Sequence, residues 1–207
     1  MLRNLLRDNT PIVDRIADEN IEYFITWLVK QKNPDYLDFL SVLCVCEGRA
    51  MSRNQTLIME KLMAAQQKQT VLMITKLVNG ALEIRDRGTS DWKPFNEFLK
   101  DDQNRHFYES QLNLFANLAY GRNARNIEII TSKFISLDQV LYGLKEEHFR
   151  GTLRAAYSYA LVNLFIDVGK NQPLLKRVQV TNAKSPPLLF SSLLITSSFM
   201  LARLQLE

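Results

Sequence analysis

The stretch 33-NPDYLDFLSVLCVCEGRAMSRNQTLIMEKL-62 decides the fold class. Asn33 followed by Pro34 marks a helix start, because proline at the first helical position gives up no intrahelical hydrogen bond. From Tyr36 to Cys46 nearly every position is apolar or a thiol, so the predicted helix is hydrophobic nearly all round and belongs inside a stack of helices. Gly48 then supplies a left-handed stop. Ser52 begins the next predicted helix, SRNQTLIMEKLMAA, with Leu57, Ile58 and Leu62 on one side.

Reading outward, Asp18 is taken as the cap of DENIEYFITWLVKQK, where Ile21, Phe24, Ile25 and Leu28 share one face and the helix is expected to end near Lys32. On the other side, VLMITKLV at 71–78 is rich in β-branched residues and ALEIRDRGTSDW alternates before a glycine turn, which predicts a small β-hairpin near residues 71–95. Residues 80–102 concentrate Gly, Pro, Asp, Ser and Trp and are expected to form an irregular loop between two helical halves. Beyond it, Tyr108, Leu112, Phe115 and Ala119 fall on one face of a helix closed by Gly121, with Leu114 and Leu118 widening that face. Ser136 with Gln139 is a capping-box pattern ahead of VLYGL. The stretch 152-TLRAAYSYALVNLFIDVG-169 is charged only at Arg154 and Asp167, and it reads as a central helix wrapped by neighbours.

Composition agrees with this. A chain of 207 residues with 46% hydrophobic and 23% charged residues is globular, and seven glycines with six prolines leave little room for many tight β turns. The expected fold is all-α, an armadillo-like helical solenoid of about seven or eight helices joined by short connections. The net charge of +4 is dispersed, and the aromatic residues fall mostly on core faces, so a nucleic-acid partner is not expected. The N-terminus MLRNLLRDN lacks the apolar run of a signal peptide, and two cysteines suit a reducing compartment, so a cytosolic setting is expected. Between Lys184 and Arg203 lies SPPLLFSSLLITSSFMLA, uncharged, whose helical length of about 27 Å is just short of a bilayer core of about 30 Å. Membrane contact is expected only if this 185–202 segment inserts, and residues 183–207 are set apart as an apolar tail.

Enzyme signatures are scarce. His106 and His148 have no ligand-spaced partners and read as surface helical residues. Cys44 and Cys46, if helical, point about 160° apart and cannot share a metal, so they read as core thiols. No phosphate-cradling glycine loop, nucleophile elbow or metalloprotease motif occurs. The pairs Asp101-Asp102 and Glu146-Glu147 are placed at helix starts, where they complement the positive end of the dipole. Asn54-Gln55-Thr56 fits a glycosylation acceptor in form but falls within a predicted helix. Two basic pairs are the candidate anion or partner contacts: Arg122 with Arg125 after a helix end, and Arg150 with Arg154 one turn apart. Catalytic, cofactor and metal residues are all expected to be absent, and no cofactor is called for.

These stretches also carry a family resemblance. YLDFLSVLCVCEGRAMSRNQTLI, the run LRNLLRDNTPIVDRIADENIEYFITWLVKQKNPDYLDFLSVLCV, and downstream FYESQLNLFANLAYGRNARNIEII, LDQVLYGL and LRAAYSYALVNLFIDVGKNQP resemble the inositol trisphosphate receptors and ryanodine receptors, closer to the former. QLNLFA is the most discriminating block, and the resemblance covers about residues 2–182. It implies the receptor homology (RIH) helical domain of an intracellular calcium-release channel, on the cytosolic face of the endoplasmic reticulum. It also implies a coupling module that relays ligand binding towards the pore, with other channel domains or subunits as partners. No stretch matches the family's arginine- and lysine-containing ligand motifs or its pore helices, so no direct small-molecule ligand is expected. The competing reading is a free-standing armadillo-like interaction adaptor.

Overall fold

The computed structural model describes Leu6 and residues 9–69 and 71–169. The uncharged 185–202 segment lies outside the described residues. Within them the chain is helical with a small antiparallel sheet, as expected.

The opening stretch forms helix α3. Numbering from the first described helix, α1 is Thr10–Asp14, α2 Asp18–Lys30, α3 Pro34–Cys44 and α4 Ser52–Lys68. Asn33 is extended and its side chain accepts a hydrogen bond from the Asp35 amide at 2.9 Å, with Pro34 at the first helical position. Leu37, Phe39, Leu40, Ser41, Leu43 and Cys44 of α3 are all buried, the interior helix that the apolar run predicts.

Its end differs from the expectation. The helix stops at Cys44, and Val45–Cys46 (β1) pairs antiparallel with Arg49–Ala50 (β2). Glu47 and Gly48 between them have φ of 50° and 69°, the left-handed pair that a two-residue hairpin requires. Gly48 therefore turns a hairpin and does not stop a helix. Cys44 and Cys46 thus sit on a helix end and a strand, so the helical angle between them does not apply. Both are free and buried, Cys44 donating to the Leu40 carbonyl at 3.3 Å and Cys46 accepting from the Thr10 hydroxyl at 3.4 Å. Burial pushes the Cys44 thiol up. Neither thiol is expected to react with a thiol reagent on the minutes scale in the native protein, and both should react at once in guanidinium. Rapid native labelling of either would contradict this placement.

Helix α2 buries Ile21, Ile25 and Leu28, while Phe24 is half-buried and stacks on Phe39 with ring centroids 3.7 Å apart. The capping residue is Ala17, not Asp18, which lies in the first turn and pairs with Arg53. At the other end Arg87 donates to the carbonyls of Leu28 and Val29, groups that a helix terminus leaves unpaired. Lys32 just beyond lies 2.8 Å from both Asp86 carboxylate oxygens.

The predicted hairpin is present and carries a third strand. Ile74–Val78 (β3), Ala81–Arg85 (β4) and Trp92–Pro94 (β5) pair antiparallel in that order, with Val78 opposite Ala81 and Glu83 opposite Pro94. Asn79 and Gly80 form the turn with positive φ at both. Lys76 and Arg85 sit over the Trp92 ring at 4.2 and 5.3 Å, which pins β5 to the sheet. The 80–102 stretch thus holds β4, β5 and a short helix α5, Phe95–Phe98.

Helix α6, Asp102–Ala119, is the hub. It buries Phe107, Leu112, Leu114, Phe115 and Leu118 among others and packs against α3, α4, α7 (Ala124–Lys133) and α9 (Gly151–Leu161). Gly121, with φ 75°, ends it as predicted, and a Cβ there would stand 2.6 Å from that of Ala50. Helix α8, Leu137–Lys145, opens with the predicted Ser136–Gln139 capping box. Helix α9 runs into a π-helical turn, Val162–Ile166. The stretch 152–169 is not wrapped all round: Leu153, Ala156, Tyr157 and Ala160 face the core while Thr152, Arg154 and Ala155 are exposed. Its outer face carries Thr152, Ala155 and the exposed Ile166 beside Arg154. The apolar core runs as one cluster from Leu6 to Leu164.

Candidate functional site

Three helix termini meet beside α6, and each leaves backbone groups that need partners. Those partners are buried side-chain amides. Gln55, one turn into α4 and fully buried, donates to the carbonyls of Asn117 and Tyr120 at the end of α6, at 2.8 and 2.9 Å. Its oxygen accepts from Asn123 at 3.2 Å. Asn126 in α7, equally buried, donates to the carbonyls of Gln55 at 3.2 Å and Leu118 at 2.9 Å. Asn54 donates to Val13 and Leu43 carbonyls at 3.0 and 3.1 Å, tying α4 to α1 and α3. The Asn54-Gln55-Thr56 triplet is thus helical with its acceptor asparagine enclosed.

The same device joins the sheet to the helices. Gln111 of α6 accepts from the Met73 amide at 2.9 Å and donates to its carbonyl at 2.8 Å, the pattern of a neighbouring strand. Gln139 of α8 donates to the Thr75 carbonyl at 2.7 Å while its oxygen accepts from the Ser136 amide. On the opposite flank, the Tyr159 hydroxyl donates to Asn117 at 2.6 Å, and Asn117 donates to the Ser41 hydroxyl at 2.6 Å. Burial pushes the Tyr159 hydroxyl up to about 12 and raises those of Tyr108 and Tyr157, which lie 3.3 Å apart. The result is a neutral lattice across α3, α4, α6, α7, α8 and the sheet. Its groups are amides, hydroxyls and carbonyls bonded to one another, which fixes the spacing of the elements they join.

The four arginines sit around this frame. Arg122, in the turn after α6 with φ 68°, pairs with Asp167 at 2.6 Å, and Arg125 of α7 pairs with Glu60 of α4 at 2.8 Å. Both contacts clamp the outside of the amide seam. Arg150 lies 3.8 Å from Asp102 at the start of α6, and Arg154 is exposed one turn further along α9. Arg105, which also pairs with Asp102, holds its carboxyl below the usual carboxylate range. The two pairs attend opposite ends of α6, about 27 Å apart for a helix of this length, so no single anion spans them.

The remaining candidates are peripheral. His106 is exposed on α6. His148 lies in the α8–α9 turn, outside any helix, where its ring is 2.9 Å from Glu146 and lowers that carboxyl's pKa. Asp101 caps α6 as expected, accepting from the Gln103 amide at 2.8 Å. Glu146 instead follows the last turn of α8, at the end of a helix and not at a start. Among the described residues no three His, Cys, Asp or Glu side chains gather as a metal site, and no helix is long and apolar enough to cross a membrane. Sequence reading passed over the amide lattice because glutamine and asparagine in a helix usually face water. The signal was present in NQTLIM and QLNLF, where amides interrupt otherwise apolar faces.

Residues 1–77, which contain α2, α3 and the Asn54–Gln55 pair, match the family model described as the RIH domain. The match covers just over a third of the chain. Two relatives are similar to most of the chain. An inositol 1,4,5-trisphosphate receptor-like protein A of Dictyostelium discoideum is 26% identical over 170 residues, covering 81% of this chain and 5% of its own length. An inositol 1,4,5-trisphosphate receptor of Caenorhabditis elegans is 20% identical over 195 residues, covering 85% of this chain and 6% of its own. Both relatives bear inositol trisphosphate receptor names, and the chain spans about a twentieth of their length.

Proposed function

We propose that the chain is a cytosolic coupling module of an intracellular ligand-gated calcium-release channel, relaying ligand binding towards the pore with no pore or ligand site of its own. The observation that carries this is the amide seam. A relay must move as a body, and Gln55 with Asn126 joins the ends of three helices by bonds that do not stretch as apolar contacts do. The module is non-enzymatic, spans residues 2–182, and works on the cytosolic face of the endoplasmic reticulum membrane beside other domains or subunits of the channel. Arg122, Arg125, Arg150 and Arg154 are its contacts for acidic partner surfaces.

The test grafts the chain in place of the matching segment of the Dictyostelium relative. Ligand-evoked calcium release is expected to persist with the wild-type segment and to fall at least several-fold with Gln55→Leu, while ligand affinity stays within about twofold. Gln55→Leu takes away the Gln55 partner of the Tyr120 carbonyl and of the Asn123 amide, a cost of about 1–3 kcal/mol per group, while the Asn117 carbonyl keeps the Tyr120 amide, so its folding is checked by circular dichroism. Unchanged release from a folded variant, or a saturable calorimetric signal between the isolated chain and inositol trisphosphate at micromolar concentration, contradicts the reading.

A further inference from the structure

The N-terminal face of the unit holds a cleft that the coupling role does not use. Helix α1 is only five residues long, with Pro11 in its first turn. It buries Val13 in the core, and Ile12 beside it is left 50% exposed. The chain then turns through Arg15–Ala17 into α2, and between the two helices opens a cleft of about 660 Å³. Buried Phe39 and half-buried Phe24 and Ile16 line it together with exposed Ile12, Arg15 and Asn20.

Among the described residues lining the cleft, Arg15 is the only charged one. The acidic neighbours Asp18 and Glu22 are paired with Arg53 and Lys61 of α4, and Arg53 also donates to the Ile16 carbonyl at 3.2 Å. Neither carboxylate therefore answers Arg15. A concave, aromatic-lined site with one guanidinium among its described lining residues suits side chains inserted from a peptide, whereas a bilayer surface is recognised by clusters of basic residues. A single arginine at the edge of an apolar site specifies its ligand by a carboxylate, held through charge-assisted hydrogen bonds.

We infer that this cleft docks an apolar peptide segment bearing a carboxylate, its apolar side chains set against Phe24 and Phe39 and its carboxylate on Arg15. The inference stands on the cleft alone and holds whether or not the chain couples a channel.

The test pans a phage library of random 16-residue peptides on the whole chain and measures the synthetic winners by fluorescence anisotropy. Enriched peptides are expected to combine apolar residues at i and i+3 or i+4 with an Asp or Glu. Ile12→Glu should weaken binding at least about tenfold, and Arg15→Gln about five- to tenfold. Amidating the peptide carboxylate should cost as much as Arg15→Gln and add nothing to it, as a direct pair requires. Ile12 and Arg15 are both exposed, so the variants are expected to melt as the parent does. The inference is overturned if no enriched peptide depends on Ile12, or if Arg15→Gln leaves binding unchanged. It is equally overturned if the chain ignores every peptide and binds phosphatidylserine vesicles through Ile12.

Discussion

Leu43→Asp is expected to abolish the cooperative thermal transition of the chain. Leu43 is fully buried near the end of α3, and its carbonyl is held by Asn54 from α4. A carboxylate placed there has no cation to answer it and loses its hydration, a cost of several kcal/mol against a total stability of about 5–15 kcal/mol for a domain. Helix α3 also has nowhere to turn the new group, since Leu40 and Cys44, its neighbours along the helix, are fully buried too. Leu43→Ala serves as the milder companion. It deletes the side chain without adding charge and should cost about 2–5 kcal/mol, leaving a folded protein with a lower melting temperature. Circular dichroism melts separate the cases, and an unchanged melt for the aspartate variant would place α3 on a surface.

The second large effect comes from the smallest residue. Gly143 lies in the middle of α8, where replacing glycine by alanine ordinarily gains about 1 kcal/mol of helix propensity. Here a Cβ would stand 2.3 Å from Cε2 of Tyr157 and 2.5 Å from two further ring atoms. The Tyr157 ring cannot retreat: it is fully buried, near-parallel to Phe149, and its hydroxyl is bonded to Tyr108. Gly143→Ala is therefore expected to destabilise by about 1–3 kcal/mol, the usual cost of overpacking, in spite of its better propensity. Tyr157→Leu in the same chain should recover part of that loss, because the ring is the obstacle. A stabilised Gly143→Ala protein would mean that α8 and α9 pack less closely than they do here.

Much of the fold was legible because local chemistry and tertiary role agree at the helix starts. Asn33-Pro34, Asp101 and the Ser136–Gln139 box each do in the structure what their residue types predict. The boundary at Cys44 was not legible, since VLCVC is as apolar as the helix before it. Only the pairing of Val45 and Cys46 with Ala50 and Arg49 tells strand from helix, and that partner is tertiary information. The third strand was hidden for a related reason: Trp92–Pro94 is short, ends in proline, and is held by the cations over its tryptophan. The buried amides were the largest omission. Gln55 and Gln111 carry no pattern of their own, and their carbonyl and amide partners lie 38 to 65 residues away in the chain.

That long reach is also why the helices should respond together. Native-state hydrogen exchange on the whole chain measures this directly, by comparing the opening free energies of the central amides of α3, α4, α6 and α7. A unit locked by Asn54, Gln55 and Asn126 predicts one shared value for all four helices, and a drop for all four in Gln55→Leu. Separate values, with α6 and α7 opening while α3 and α4 stay protected, would contradict a module that moves as one body.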